Sequence, residues 1–128
     1  MLIKTILNCV HPIKGFVYEK VRFGDGEIEV EVRPRQGSRP YCRGCGRRGA
    51  TYDHQPLRRF CFIPLWGLPV YLLYTMRRVD CRTCGPTIEM VPWAEGKSPM
   101  TKAFSWFLAV WARRLSWSEV GAIFGTNW

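Results

Sequence analysis

Lysine is missing from the whole middle of the chain, between Lys20 and Lys97, and acidic residues are scarce in the part of it that follows Val32. From Arg33 to Arg82 eleven arginines face only Asp53 and Asp80. So few and so dissimilar are the acids (Asp53, Asp80, Glu89, Glu95 and Glu119) that no paired-carboxylate catalytic set is expected. Long apolar runs are also missing. Phe60–Met76 carries no charge, but it is shorter than the ~20 residues a spanning helix needs and contains Pro64, Gly67 and Pro69. That composition suits a buried hairpin better than a membrane span. Met1–Val10 has neither a long apolar core nor a small-residue cleavage site, so no export signal is expected.

What is present is a folded, basic chain. At 128 residues it can hold one ordinary domain or two small ones. A hydrophobic fraction of 47% and an aromatic fraction of 14% argue against disorder. The formal charge of +9 attracts a polyanion, and the use of arginine alone in the middle suits phosphate gripped by a planar fork. The plainer alternative is a solvated basic face that keeps a small domain soluble.

The central motif is a pair of C-x-x-C-G sequences, Cys42-Arg43-Gly44-Cys45-Gly46 and Cys81-Arg82-Thr83-Cys84-Gly85. Two intervening residues let one tight turn aim both sulfurs at a common ion. A glycine after the second cysteine permits positive φ, which turns backbone N–H groups toward sulfur. Two such half-sites predict a tetrahedral Zn²⁺ centre on Cys42, Cys45, Cys81 and Cys84. A thioredoxin-type redox motif would lead into a helix, but Gly46-Arg47-Arg48-Gly49 is no helix start. Disulfides suit secreted chains. Cys9, His11 and His54 are lesser candidate ligands, and Cys61 reads as a small core hydrophobe.

Taken in order, Phe16–Phe23 and Glu27–Val32 alternate with period two about the turn Gly24-Asp25-Gly26, predicting a hairpin with Glu27, Glu29 and Glu31 outward. Arg33–Pro40 is a basic link. Leu57–Ile63 and Val70–Val79 read as two strands about a turn at 64–69, with Val70, Leu72, Tyr74 and Met76 on one face. Pro86–Pro99 reads as a connector in which Trp93 packs on a neighbour. Thr101 predicts an N-cap for a helix over Lys102–Leu115, with Phe104, Phe107, Leu108, Trp111 and Leu115 as its core stripe. Ser116 or Ser118 caps a second short helix, with Val120, Ile123 and Phe124 buried, Gly125 as its stop and Asn127 as a cap for a further helix.

The fold class expected is α+β: an N-terminal β layer (1–38), a four-cysteine zinc ribbon with an antiparallel hairpin (39–88), then a connector and the two helices of an incomplete helix-turn-helix (89–128). Cys42-x-x-Cys45, Leu57-Arg58-Arg59, Pro64-Leu65-Trp66-Gly67-Leu68-Pro69-Val70, Arg77-Arg78-Val79-Asp80-Cys81-x-x-Cys84 and Trp117-x-x-Val120 with Phe124-Gly125 resemble the insertion-sequence L-three (ISL-three) transposases over roughly residues 40–128. The resemblance implies an N-terminal zinc finger that binds transposon-end DNA, followed by a helix-turn-helix and a ribonuclease-H-like catalytic domain. The sequence stops at Trp128, where a recognition helix would begin, so a fragment or a truncated frame is expected, with no catalytic centre of its own. The expected cofactor is Zn²⁺. The expected partner is double-stranded DNA and no membrane, with a homodimer left open, in a bacterial, nucleoid-associated cytoplasmic setting. DNA contacts are expected from Arg43, Arg47 and Arg48 on the first cysteine loop, then Arg58, Arg59, Arg77 and Arg78. A zinc-stabilised protein-interaction module, anchored by tryptophans, is the alternative. A zinc hydrolase is disfavoured, because catalytic zinc keeps an open position.

Overall fold

The computed structural model describes residues 2–125. The elements in chain order are α1 (Leu2–Val10), β1 (Phe16–Gly24), β2 (Glu27–Pro34), β3 (Tyr41–Cys42), β4 (Ala50–Leu65), β5 (Leu68–Cys81), β6 (Gly85–Met90), α2 (Lys102–Trp111) and α3 (Trp117–Phe124). Asn127 and its proposed cap lie outside the described residues. No helix among the described residues is long and apolar enough to cross a membrane.

The organising strand is β5. Its Val70, Leu72, Tyr74 and Met76 are buried, and so are Leu73, Arg77 and Val79 between and beyond them. A strand buried on both faces reads as a near-continuous apolar run, as this one does. Along one edge β5 pairs antiparallel with β4, from Leu65↔Leu68 to Ala50↔Asp80, about a turn in which Trp66 and Gly67 both have positive φ. Along the other edge it has two partners: β2 lies parallel over Ile28↔Val70 to Glu31↔Leu73, and β6 antiparallel over Arg78↔Ile88 to Cys81↔Gly85. The β1–β2 hairpin and the two-residue β3 complete a six-stranded sheet.

This overturns the expected fold class. The chain is mostly β, 46% strand and 21% helix, built on one curled half-barrel sheet. The N-terminal β layer and the cysteine hairpin are parts of the same sheet, because β2 docks on β5. The core face of β5 packs with Ile3 and Leu7 of α1, Tyr18 of β1, Ile28 and Val30 of β2, and Trp93. A zinc ribbon has no such interior, and no separate ribbon hairpin is present among the described residues. Nor is there a helix-turn-helix among the described residues. The apolar sides of α2 and α3, at Phe104, Leu108 and Val120, are used against one another and against Cys61 and Ile63 of β4. Ile123, expected inside, is 62% exposed.

Trp93 sits at the centre of the core, edge-on to Phe16, Tyr74 and Phe60 with ring centroids 4.9, 5.0 and 5.7 Å away. Each such pair adds about 0.5–1.5 kcal/mol beyond its area. The segment after β6 therefore closes the interior rather than merely connecting.

Thr101 fastens α2 to the sheet. Its hydroxyl accepts the Phe104 N–H at 3.1 Å, as an N-cap should, and donates to the Cys61 carbonyl at 3.0 Å. Thr101→Ala removes both bonds in a fully buried setting and is expected to lower stability by about 1–2 kcal/mol. An unchanged urea midpoint would show that the cap carries no such weight. At α3 the Ser116 and Glu119 side chains form the reciprocal box, and Gly125 ends the helix at φ 66°.

Candidate metal centre and cationic surface

The sequence brings Cys42 and Cys81 to adjacent strand ends by two routes. Cys42 closes β3, whose register partner is Glu89 on β6, and Cys81 closes β5, whose partner across the next turn is Gly85. Each C-x-x-C then curls over its own strand end. In the first loop the Cys42 N–H donates to the Arg47 carbonyl and the Gly46 N–H to the Cys42 carbonyl, both at 2.8 Å. Gly46 and Gly85, the residues after each second cysteine, both have φ 75°. The spacing argument thus holds at the backbone.

The four Sγ atoms lie within 4.8 Å of one another, with Cys45 and Cys81 at 3.5 Å. A tetrahedron of thiolate bonds of about 2.3 Å has sulfur–sulfur edges of about 3.8 Å, so the cluster is at metal-binding distance. None of the six cysteines is in a disulfide. Backbone N–H groups of Gly44 and Cys84 approach the Cys42 and Cys81 sulfurs at 3.3 and 3.4 Å. A Cβ at Gly44 would stand 3.0 Å from the Cys84 sulfur, a tight contact, so glycine suits the position.

The electrostatics differ between the two cysteines of each pair. The Cys45 N–H, helped by that of Gly44 and by neighbouring thiols, pulls the Cys42 thiol down to about 6. The Cys84 and Thr83 N–H groups lower Cys81 in the same sense. Cys84, bonded to the Cys42 sulfur and desolvated, is pushed up to about 12. At Cys45 the Arg47 N–H favours the thiolate, but the Cys81 thiol and burial outweigh it and raise the pKa. Four thiolates this close repel, and a divalent cation is what lets all four ionise. Among the described residues the cluster contains only these cysteines. His54 lies on β4 opposite Arg77, and His11 bonds the Tyr18 hydroxyl at 2.9 Å.

The arginines expected to meet DNA are not alike. Arg43, Arg47 and Arg48 surround the first cysteine loop; Arg47 and Arg48 are exposed and Arg43 half-buried. Arg43 donates to the Gly96 carbonyl at 3.3 Å, and Arg48 lies over Tyr41. Arg58 rests on the Phe60 ring at 4.5 Å and donates to the Ser98 carbonyl. Arg59 lies over Tyr71 at 3.9 Å and pairs with Glu27 and Glu29. Arg78 is held by Asp53 through both carboxylate oxygens. Arg77 is buried and points elsewhere. Its Nε donates to Glu89 Oε2 at 2.6 Å, and its own N–H reaches the same oxygen at 3.2 Å. Tyr74 donates its hydroxyl to Glu89 Oε1 at 2.8 Å, and burial together with the carboxylate pushes the tyrosine pKa up, so it stays a donor.

Glu89 is the residue sequence reasoning passed over. It fills the gap on β5 between β2 and β6, where the Arg77 N–H has no strand partner. Its signal was alternation at the end of β6: Glu89 and Val91, just past the strand, are buried on either side of the exposed Met90.

No protein-family model and no solved structure gives a significant match to the chain. Over 91% of its length it is 32% identical to "Transposase for insertion sequence element IS1557" of Mycobacterium tuberculosis, in strains CDC 1551 / Oshkosh and ATCC 25618 / H37Rv. The chain is thus related to insertion-sequence transposases, and it spans 29% of the length of these relatives.

Proposed function

We propose that the chain is a DNA-binding part of an insertion-sequence transposase of the ISL-three type, held at one end by Zn²⁺ on Cys42, Cys45, Cys81 and Cys84. The similarity to a transposase over 91% of the chain carries this reading, and the four-sulfur cluster with its arginine-bearing loop is consistent with it. The zinc fixes the loop; Arg43, Arg47 and Arg48, with Arg58, Arg59 and Arg78 along β4 and β5, contact phosphate of duplex DNA at the transposon end. Arg77, bound to Glu89, supports the sheet. Phosphate contacts set position, while sequence is read at base edges.

The test is a salt titration of binding to the element's own terminal repeats and to random duplex. Affinity should fall steeply with salt. Arg47→Ala should weaken both duplexes and reduce the slope of log K against log salt by about 1. Salt-insensitive association with a protein instead would favour an interaction module. That second reading is motivated by Trp106 and Trp111 on α2, 67% and 42% exposed.

A further inference from the structure

A cleft of about 670 Å³ opens between the start of β1, the link before β3 and the end of β6. Five of its lining residues, Lys14, Arg35, Arg39, Arg48 and Lys102, are exposed cations. Its one lining carboxylate is Glu89, already neutralised by Arg77. The volume is that of a small-ligand pocket, for which the usual range is about 300–1,000 Å³.

The floor is apolar. Tyr41 and Met90 are register partners on β3 and β6, so they share a face; they are 39% and 47% exposed. The Arg48 guanidinium stands over the tyrosine ring at 5.3 Å. The wall is a fixed structure. The Arg35 N–H donates to the Gly15 carbonyl at 2.8 Å, the Ser38 N–H to the Arg35 carbonyl at 2.9 Å, and Arg77 to the Ser38 carbonyl at 3.3 Å. The Ser38 hydroxyl is buried at this wall without a hydrogen-bond partner.

Duplex DNA offers a protein surface mainly phosphates and groove edges, for which an aromatic floor has no use. An unstacked nucleotide offers both a π-face and flanking phosphates, and every base has that face. We propose that this cleft receives one unpaired nucleotide of a DNA strand, its base against Tyr41 and Met90 and its phosphates on the surrounding cations. The inference rests on the DNA-binding reading above and adds to it a place for single-stranded DNA.

The test uses the zinc-loaded chain with blunt duplex and with the same duplex carrying a single-stranded overhang that contains a fluorescent adenine analogue. The overhang should bind more tightly than the blunt end, with quenching of the analogue. Tyr41→Leu and, independently, Met90→Ala should weaken overhang binding at least about fivefold and blunt binding less than about twofold. Arg39→Ala should act in the same direction. Equal weakening of both probes would reduce the cleft to a backbone contact and overturn the inference while leaving DNA binding intact. Unchanged affinity for both would overturn it as well. If the unaltered chain binds neither probe at low salt, the DNA reading fails and the inference with it.

Discussion

Cys42→Ser is expected to abolish stoichiometric zinc binding and to cost on the order of 5 kcal/mol or more of stability. Apparent binding energies of structural zinc are about 10–16 kcal/mol at neutral pH, and they act as folding energy. Cys42 is fully buried, and its sulfur is the common neighbour that shifts the Cys84 thiol. The damage should begin at one end. Beyond the sulfurs, β3 is held to β6 by only the Tyr41↔Met90 and Cys42↔Glu89 pairs, whereas the Trp93 core lies farther along the sheet. Hydrogen exchange should therefore rise first in residues 41–49 and 81–90, and a chelator should reproduce that pattern in the unaltered chain. Metal uptake must displace the protons that Cys45 and Cys84 hold at neutral pH, so zinc affinity should rise with pH. Cys9→Ser, at an exposed position, is the control and should shift stability by less than about 0.5 kcal/mol. A Cys42→Ser chain that melts like the unaltered one would show that the four sulfurs hold no structural metal.

Glu89→Ala should cost about 3–5 kcal/mol, because it leaves the buried Arg77 charge unpaired. The Tyr74 hydroxyl and the Arg77 N–H lose their acceptor in the same step. Glu89→Gln keeps an acceptor oxygen without the charge, so its loss should be smaller. Changing Arg77→Met together with Glu89→Leu removes the stranded charge and should recover part of the loss, since apolar replacement of a buried pair is often near neutral. Urea denaturation of the three variants orders these effects. Losses under about 1 kcal/mol for both single variants at Glu89 would remove it from the structural account.

The legible parts of the chain were those written in local pattern. Strict alternation from Glu27 to Val32 marked β2, Thr101 and Ser116 marked the starts of α2 and α3, and Gly125 marked an end. The paired C-x-x-C-G spacing marked the four sulfurs that the fold gathers. The illegible parts depend on contacts far apart in sequence. Nothing near β2 announces a parallel seat on β5, yet that pairing turns two apparent units into one sheet. Leu2–Val10, expected to belong to the N-terminal β layer, is a helix, and Ile3 and Leu7 have the helical spacing that buries them in the core. Arg77 and Arg78 look equivalent as neighbours in a basic run. On a strand they must face opposite ways, so one meets Asp53 near solvent and the other needs a buried acid. That acid sits on β6, inside a stretch whose prolines disguised the strand. The cleft cations Lys14, Arg35 and Arg39, and Lys102 converge from three separate places, which no motif records.

The borders of the sheet limit how copies of the molecule can associate. An open sheet risks recruiting strands from its neighbours into filaments. Here β1 breaks register between Tyr18 and Val21 and presents Glu19, Lys20 and Arg22 along its length. On the opposite flank, β4 carries Pro56 inside a second break between His54 and Leu57, and Met100 bridges Cys61 farther along. Proline offers no N–H to an incoming strand. At these two edges, extension of the backbone ladder by a second copy is disfavoured.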